Sequence, residues 1–263
     1  MKFIIYLICM GLLVALMVVV FKSSHYELEE ANNFYFEGEK ATTVAEKKAA
    51  FNHALTLYLS AEQEYSPKFG DGKLYFNIGN TYFQLGEYPL ALFYYKRAQQ
   101  LMPRSEMVQE SIEQVNEILQ LKEEASQPTF WQKTFTPMVR FSVPEELQLF
   151  ALSGIIALIA ASCYLWMPHP LLKQTKTIFV FISVILLLGL ARAHYMTPIQ
   201  GVIIHAVEMR RSDSKESAKV SGVPIPPGTT VNLIDIEKKS SWVKVSTSDG
   251  DLGYIPKDSV RFL

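Results

Sequence analysis

The chain has 263 residues, which is enough for one or two domains of ordinary size. Almost half of the residues, 49%, are hydrophobic, a high fraction for a wholly soluble chain. The formal net charge is −1, so the chain lacks the global basic field that attracts nucleic acid, and we expect no nucleic-acid partner.

The first predicted element is an apolar segment at residues 1–22. Lys2 precedes a hydrophobic run from Phe3 to Phe21 that is close to the length needed to cross a bilayer as a helix. A cleaved secretory signal is the alternative, but the run is not followed by the small residues that mark a cleavage site. We interpret residues 1–22 as an uncleaved signal anchor, that is, a transmembrane helix.

Residues 24–127 are predicted to form an all-α domain, because apolar residues recur there at helical spacing. Within it, residues 72–105 form one 34-residue unit with eight marker positions. These markers are Tyr75, Ile78, Gly79, Tyr82, Ala91, Tyr95, Ala98 and Pro103. The pattern resembles the tetratricopeptide repeat, a pair of antiparallel helices that stacks on neighbouring pairs. The resemblance implies a solenoid that binds peptides or proteins and has no chemistry of its own.

The same pattern predicts details of the helix pair and its neighbours. Small residues at Gly79 and Ala91 let the helices approach, Gly86 makes the turn, and Pro103 ends the second helix. Upstream, residues 24–71 look like a degenerate repeat, in which extra residues at 41–46 break the spacing. Its markers are Ala31, Phe34 and Gly38, then Ala50, Ala54, Leu55, Tyr58 and Leu59. Downstream, an apolar stripe over residues 105–124 predicts a capping helix.

The resemblance to tetratricopeptide repeats also implies a concave groove lined by the first helix of each pair. In this chain the groove positions are Lys73, Phe76, Asn77, Asn80, Phe83 and Gln84. Asparagine amides on successive turns can hold the backbone of an extended peptide, and Lys73 can meet a carboxylate. The alternative is that Asn77 and Asn80 only form a solvated helix face.

A linker and two further apolar runs follow. Residues 128–146 are rich in proline and aromatic residues, which suits either an anchor at the membrane surface or a segment that binds a partner. Residues 147–195 are predicted to form a two-helix transmembrane hairpin, with helices at 147–167 and 177–194 and a loop at 168–176. Both cysteines, Cys9 and Cys163, fall inside apolar runs, so the water-facing parts have no thiol for disulfides or zinc knuckles.

Residues 197–263 change to a pattern of short strands at 202–207, 231–236, 242–245 and 253–255, separated by turn signals. Pro227-Gly228-Thr229, the run from Ser241 to Val245, and Gly253-Tyr254-Ile255 resemble a bacterial SH3-type domain, a small all-β barrel. The predicted ligand surface of this domain is Arg210, Arg211, Trp242 and Tyr254. The alternative for Trp242 is a place in the core, since such rings are usually buried in small barrels.

The predicted architecture is therefore a multidomain membrane protein with a tetratricopeptide solenoid, transmembrane helices and an SH3-type barrel. This order of parts resembles the BatE-like family of the aerotolerance operon. The resemblance implies a bacterial inner-membrane protein whose soluble domains both lie in the periplasm. It also implies binding to other Bat proteins, including those with von Willebrand factor A domains, in an envelope complex linked to stress or oxygen tolerance. Peptidoglycan peptides are a second candidate ligand.

We expect no enzyme activity, no catalytic residues, no cofactor and no metal. The five histidines are scattered along the sequence, and no glycine-rich phosphate loop or G-x-S-x-G motif is present. The main alternative to a scaffold is a peptidoglycan-binding anchor or sensor in which the repeats act as a spacer. An enzyme with an unrecognised site is a third alternative, because fold alone does not exclude it.

Overall fold

A computed structural model describes residues 28–65, 72–121, 141–196, 198–235 and 240–263. The predicted signal anchor at residues 1–22 and the linker at residues 128–140 lie outside the described residues. The described chain forms two compact units. One contains the long apolar helices within residues 141–196, and the other contains the helices of residues 28–121 together with the strands of residues 198–263.

The described residues of the second unit contain five helices. They are α1 (Glu29–Lys40), α2 (Val44–Tyr65), α3 (Lys73–Gln84), α4 (Tyr88–Leu101) and α5 (Glu106–Ile118). Consecutive helices pack against each other, and α1 with α2 and α3 with α4 make the two closest pairs. Residues 28–121 therefore form two helix pairs followed by a single helix.

In each helix pair, the two helices approach each other closely at one glycine. A Cβ atom placed on Gly79 would lie 2.6 Å from Cδ1 of Tyr95, and one on Gly38 would lie 2.8 Å from Cε1 of Phe51. The upstream segment thus repeats the crossing seen in the clear repeat. Gly38 and Phe51 are thirteen positions apart, whereas Gly79 and Tyr95 are sixteen positions apart. The connection between α1 and α2 is therefore short, and the extra residues predicted at 41–46 do not lengthen it. The long α2 takes up chain length instead.

Helix ends follow local sequence signals. Gly86 turns the chain between α3 and α4 with φ of 81°, a left-handed conformation that glycine adopts without a steric penalty. Helix α4 ends at Leu101, two residues before Pro103, as predicted. Helix α5 ends earlier than the predicted 124, because Gln120 adopts φ of 51° and turns the chain.

The described residues of the first unit form two long apolar helices, α6 (Val143–Trp166) and α7 (Pro170–Met196). Helix α6 begins before the predicted residue 147, because Ser142 and Glu145 form a capping box. The predicted loop at 168–176 is wrong, since α7 begins at Pro170, a residue suited to the first helical turn. Only residues 167–169 connect the two helices.

The two apolar helices pack tightly and expose large hydrophobic side chains. The hydroxyls of Ser153 and Ser183 lie 2.7 Å apart across the pair, and Ala151, Ile155 and Ala157 are buried. Leu165 and Phe181 are about two-thirds exposed, at 69% and 66%. By length and composition, Val143–Trp166 and Pro170–Ala191 could each cross a membrane.

The C-terminal residues form a five-stranded antiparallel sheet. Its strands are β1 (Gln200–Ile203), β2 (Thr230–Asp235), β3 (Trp242–Ser246), β4 (Leu252–Pro256) and β5 (Val260–Phe262). The strand order is β4-β3-β2-β1-β5, and a single 3₁₀ turn at Lys257–Ser259 connects β4 to β5. Strand β1 stops at Ile203 rather than at the predicted 207, and the short β5 was not predicted.

The sheet has its own apolar core and a covered edge. Side chains of Ile203, Val231, Leu233, Val243, Val245, Ile255 and Val260 cluster with Met209 and Ile225 from the long connection between β1 and β2. In that connection Val207 pairs with Ile225, and Arg210 pairs with Tyr254 on the outer edge of β4. The loop thereby satisfies backbone groups that an open strand edge would expose.

A further set of residues joins the sheet to the helices. Val202 is fully buried and Ile204 is almost so, and both belong to the same apolar cluster as Leu92 of α4. Strand β1 contacts α4 directly. The β1 region therefore contributes to the core of the helices, although more than 100 residues of sequence separate it from Leu92.

Candidate protein-binding site

The predicted groove residues all lie on α3. Phe76, Asn77, Asn80, Phe83 and Gln84 are partly buried, and Lys73 is exposed. The opposite face of α3 carries Leu74, Tyr75 and Ile78, which are buried in the helical core. The 3.6-residue period of the helix thus separates the groove face from the packing face.

Asn77 is held by the neighbouring helix pair. Its Nδ2 group donates to Oδ1 of Asn32 on α1 at 3.3 Å, and the same oxygen accepts from the hydroxyl of Tyr58 at 2.7 Å. Asn77 therefore links α3 to both helices of the preceding pair. The interpretation of Asn77 as a merely solvated side chain does not describe this arrangement.

Asn80 is held by a hydrogen bond from α4, the second helix of the same pair. The hydroxyl of Tyr95 on α4 donates to Oδ1 of Asn80 at 2.8 Å. Because the carboxamide oxygen is engaged, the NH₂ group is the part of Asn80 that can donate to a ligand. Gln84 at the end of the helix lies near the phenol of Tyr35 on α1.

Aromatic rings flank these amides. Phe76 packs against Tyr95 with ring centroids 5.6 Å apart, and Phe83 packs edge-on against Tyr88 at 5.4 Å. Both phenylalanine side chains remain partly accessible. The face therefore combines amide donors in fixed orientations with apolar rings, which suits an extended peptide with apolar side chains.

A polar network that the sequence analysis missed lies behind this face. Arg97 of α4 forms a salt bridge with Glu62 of α2, donates to the hydroxyl of Tyr75 at 2.5 Å, and lies 3.9 Å from the centre of the Tyr75 ring. Glu62 also accepts from the hydroxyl of Tyr94 at 2.9 Å. The network joins three helices. Its only signal in the sequence is the high number of tyrosines in the repeat.

Burial changes the ionisation of the tyrosines beneath the groove. Burial raises the pKa of Tyr94 above its usual 10.0, and the nearby negative charge of Glu62 raises it further. Burial likewise raises the pKa of Tyr58 and of Tyr95. These phenols stay protonated at neutral pH and can keep donating to Asn32, Asn80 and Glu62.

The residues predicted as the second ligand surface gather on the outer face of the sheet. Trp242 and Lys244 alternate with the buried Val243 and Val245 along β3. Lys244 pairs with Tyr254 across β3 and β4, and its Nζ lies 5.8 Å from the centre of the Tyr254 ring. Trp242 is therefore not a core residue. The same alternation in the sequence could have identified Lys244 as a further residue of this ligand surface.

The two predicted arginines differ in their surroundings. Arg210 pairs with Tyr254, and its guanidinium contacts Glu208 at 3.0 Å and the carbonyl of Ser217 at 2.9 Å. Arg211 is exposed beside it. A hydrogen bond from Lys219 lowers the pKa of Glu208, so this carboxylate is ionised at neutral pH and offsets part of the positive charge.

Over the described ranges, histidine, cysteine, aspartate and glutamate side chains do not gather in groups of three or more that could hold a metal ion. Cys163 is exposed on α6 as a free thiol, and His53 stacks on Phe34 with ring centroids 3.9 Å apart. The chemistry that the geometry offers is hydrogen bonding and apolar contact at two faces.

Comparison with known proteins identifies one tetratricopeptide repeat, which matches residues 72–105. This is the same segment whose helices α3 and α4 carry the groove face and its supporting tyrosines. No curated protein matches the chain in sequence. The repeat indicates that the chain takes part in protein–protein interaction.

Proposed function

We propose that this chain is a non-enzymatic, membrane-anchored scaffold that binds a protein partner through the groove face of α3. The observation that carries this proposal is the match of residues 72–105 to a tetratricopeptide repeat whose groove amides are held in place, Asn80 by Tyr95 and Asn77 by Asn32. A preorganised amide reduces the entropy that a ligand must lose on binding. The partner is a protein segment in an extended conformation.

The membrane anchor in this proposal is the hairpin of α6 and α7. Its support is the length of both helices and the exposure of their apolar side chains, since a lipid environment would cover such surfaces. The uncleaved signal anchor at residues 1–22 is a third membrane segment in the proposal. The soluble parts then lie together in the periplasm of the bacterial inner membrane.

The second binding face in the proposal is the outer face of an SH3-type barrel. Support comes from the five-stranded antiparallel order with β1 between β2 and β5, and from the long loop that covers the edge of β4. Trp242, Tyr254 and Lys244 form an aromatic and basic surface there. Aromatic rings with a nearby cation suit a ligand that carries carboxylates.

The finer assignment follows the resemblance to the BatE-like family. In this proposal the partners are other Bat proteins, including those with von Willebrand factor A domains, and the complex serves tolerance to stress or oxygen. The arrangement of repeats, hairpin and C-terminal sheet along the chain supports it. No step in the proposal requires a cofactor.

Site-specific photo-crosslinking in cells tests the groove. A photoreactive residue replaces Phe83 in the groove or, as a control, the exposed Gln100 on α4. We expect a discrete protein adduct from the Phe83 position that is lost when Asn80→Ala is added, and none from the Gln100 position. An adduct of the same size from both positions, or one that survives Asn80→Ala, would contradict the proposed site.

The alternative function is a peptidoglycan-binding anchor or sensor in which the repeats only space the sheet from the bilayer. The aromatic outer face of the sheet favours it. The full chain should then sediment with isolated cell wall, and Trp242→Ala should abolish this while the exposed Leu252→Ala on β4 should not. Sedimentation unaffected by Trp242→Ala would exclude this face as the wall-binding surface.

A further inference from the structure

The apolar surface of α4 that faces away from α3 is covered by the sheet. Leu92 is fully buried, and it shares a cluster with Val202 and Ile204 of the β1 region. Leu263, next to β5, packs against the same cluster. Besides α3 and α5, helix α4 therefore also contacts a β-structure.

A turn of the sheet fits closely against the end of α5. A Cβ atom on Gly228 would lie 2.5 Å from Cδ1 of Leu119 and 2.9 Å from Cδ1 of Leu121. Gly228 has φ of 86°, and its NH donates to the carbonyl of Ile203 at 2.7 Å. The two leucines were predicted to continue the helix, but they turn away from it and contact the sheet instead.

A polar contact fixes the orientation of this surface. Nζ of Lys96 on α4 donates to Oγ1 of Thr230 at the start of β2, at 2.7 Å. Thr230 is only 8% exposed, so the bond lies at the edge of the apolar contact and excludes most solvent. A hydrogen bond from a charged group is stronger than one between neutral groups, so it favours this contact.

These contacts explain how a short array of repeats is completed. Each helix pair in a repeat array must bury a face against a neighbour, and the last one needs a terminal cap. Among the described residues, the next helices after α5 are the two long apolar helices of the other unit. We propose that the sheet of residues 198–263 is the C-terminal cap of the repeat array.

The cap changes what the two binding faces can do. The groove face of α3 and the outer face of the sheet belong to one folded body, so they do not move independently as tethered modules would. The surface of α4 on which another protein could stack a helix pair is already occupied by this chain's own sheet. A partner therefore cannot stack a helix pair on this surface of α4.

Hydrogen exchange on the full chain tests the cap with a matched pair of variants. Gly228 and Gly250 have nearly the same φ, 86° and 87°, but a Cβ on Gly250 has nothing within 4 Å. Both Gly228→Ala and Gly250→Ala strain a turn of the sheet, and only Gly228→Ala intrudes between the sheet and α5. We expect Gly228→Ala to accelerate exchange in peptides of α4 and α5 by about 5- to 30-fold relative to Gly250→Ala.

The distribution of the effect decides the outcome. Faster exchange in the strands of Gly228→Ala with α4 and α5 unchanged would show an independent sheet and overturn the cap. Unchanged exchange in both the strands and the helices would overturn it as well, since the leucines would then not contact Gly228.

Chemical cross-linking provides a second test that does not depend on a destabilised variant. In the full chain with Cys9→Ser and Cys163→Ser, cysteines replace Lys96 and Thr230, and a short bis-maleimide is added. We expect an intramolecular cross-link, and none when Asp249→Cys in the exposed β3–β4 turn replaces Thr230→Cys. Equal yields from the two pairs, or no product from the first, would overturn the proposal.

Discussion

At the scale of single residues, each helix pair places an aromatic ring where a side chain on its glycine would lie. Gly79 touches Tyr95 and Gly38 touches Phe51, although only the first of these lies in the recognised repeat. Sequence could predict the first contact because both residues occupy fixed marker positions. It located Gly38 but not its partner, since the connection between α1 and α2 differs in length.

We expect Gly79→Ala to destabilise the protein by about 1–2 kcal/mol, even though alanine favours helix by about 1 kcal/mol over glycine. The new methyl group would lie 2.6 Å from the buried ring of Tyr95, and the hydroxyl of Tyr95 is tied to Asn80, so the ring cannot easily move. The denaturant midpoint, followed by far-ultraviolet circular dichroism, measures the change. Adding Tyr95→Leu should cost less than the two single changes combined; full additivity would show that the ring is not the obstacle.

The buried tyrosines predict a loss of stability at alkaline pH. Burial raises the pKa of Tyr94, Tyr95 and Tyr58 in the folded state above the usual 10.0. Above that pH the unfolded chain loses phenolic protons that the folded chain retains, so the free energy of unfolding falls as pH rises. Well below pH 10, where the phenols stay protonated in both states, these groups should give no pH dependence.

Denaturant unfolding at a series of pH values from about 8 to 11 tests this, since the usual tyrosine pKa lies within that window. Tyr95→Phe should make the alkaline decline less steep, because one of the phenols is removed. A decline of the same steepness in the variant would mean that Tyr95 ionises equally in both states.

At the scale of helices, the network of Glu62, Arg97 and Tyr75 sets how one helix pair meets the next. Helix α2 supplies the carboxylate, α4 the guanidinium and α3 the ring beneath it. Both charged side chains are mostly buried, at 18% and 28% exposed. A salt bridge shielded in this way depends more strongly on its partner than a solvated one does.

A double-mutant cycle with Glu62→Gln and Arg97→Met should give a coupling energy of about 1–2 kcal/mol in unfolding experiments. The matched comparison is the pair of Glu208 and Lys219, whose side chains are 37% and 50% exposed. Its coupling should stay below about 1 kcal/mol. Equal couplings for the two pairs would contradict a special role for the network.

Sequence predicted the elements better than their arrangement. Helices α3 and α4 were located because Gly86 and Pro103 are local signals, and strand β3 because Trp242 to Val245 alternate. The pairing of β1 with β5 was missed because β5 has three residues and follows a 3₁₀ turn. Likewise the contact of Lys96 with Thr230 leaves no periodic signal, since each residue also suits a solvated position.

At the scale of the whole chain, the shared core of helices and sheet constrains the orientation of the proposed membrane hairpin. Two segments that form one folded body must lie on the same side of a bilayer, and a hairpin of two spans returns the chain to the side it left. We expect alkaline phosphatase and a cytoplasm-specific fluorescent protein to report the same side after residues 127 and 263. A fusion at His169, in the connection between α6 and α7, should report the other side.

Phosphatase activity at the first two positions would support the periplasmic orientation, and fluorescence there would replace it with a cytoplasmic one. Opposite reports from residues 127 and 263 would contradict both the hairpin and the shared core. The third fusion is placed at His169 because most of the predicted loop at 168–176 lies within α7, which begins at Pro170.

The contact of Lys96 with Thr230 spans 134 positions, and the apolar hairpin lies between them. During synthesis the repeats are therefore made long before the strands that complete their core. Until then Leu92 and its neighbours are exposed on the folded helices. Exposed apolar surface of this kind binds chaperones and promotes aggregation. The maturation of this protein should thus be slow relative to that of an isolated repeat array, because a long loop must close before the last apolar contacts form.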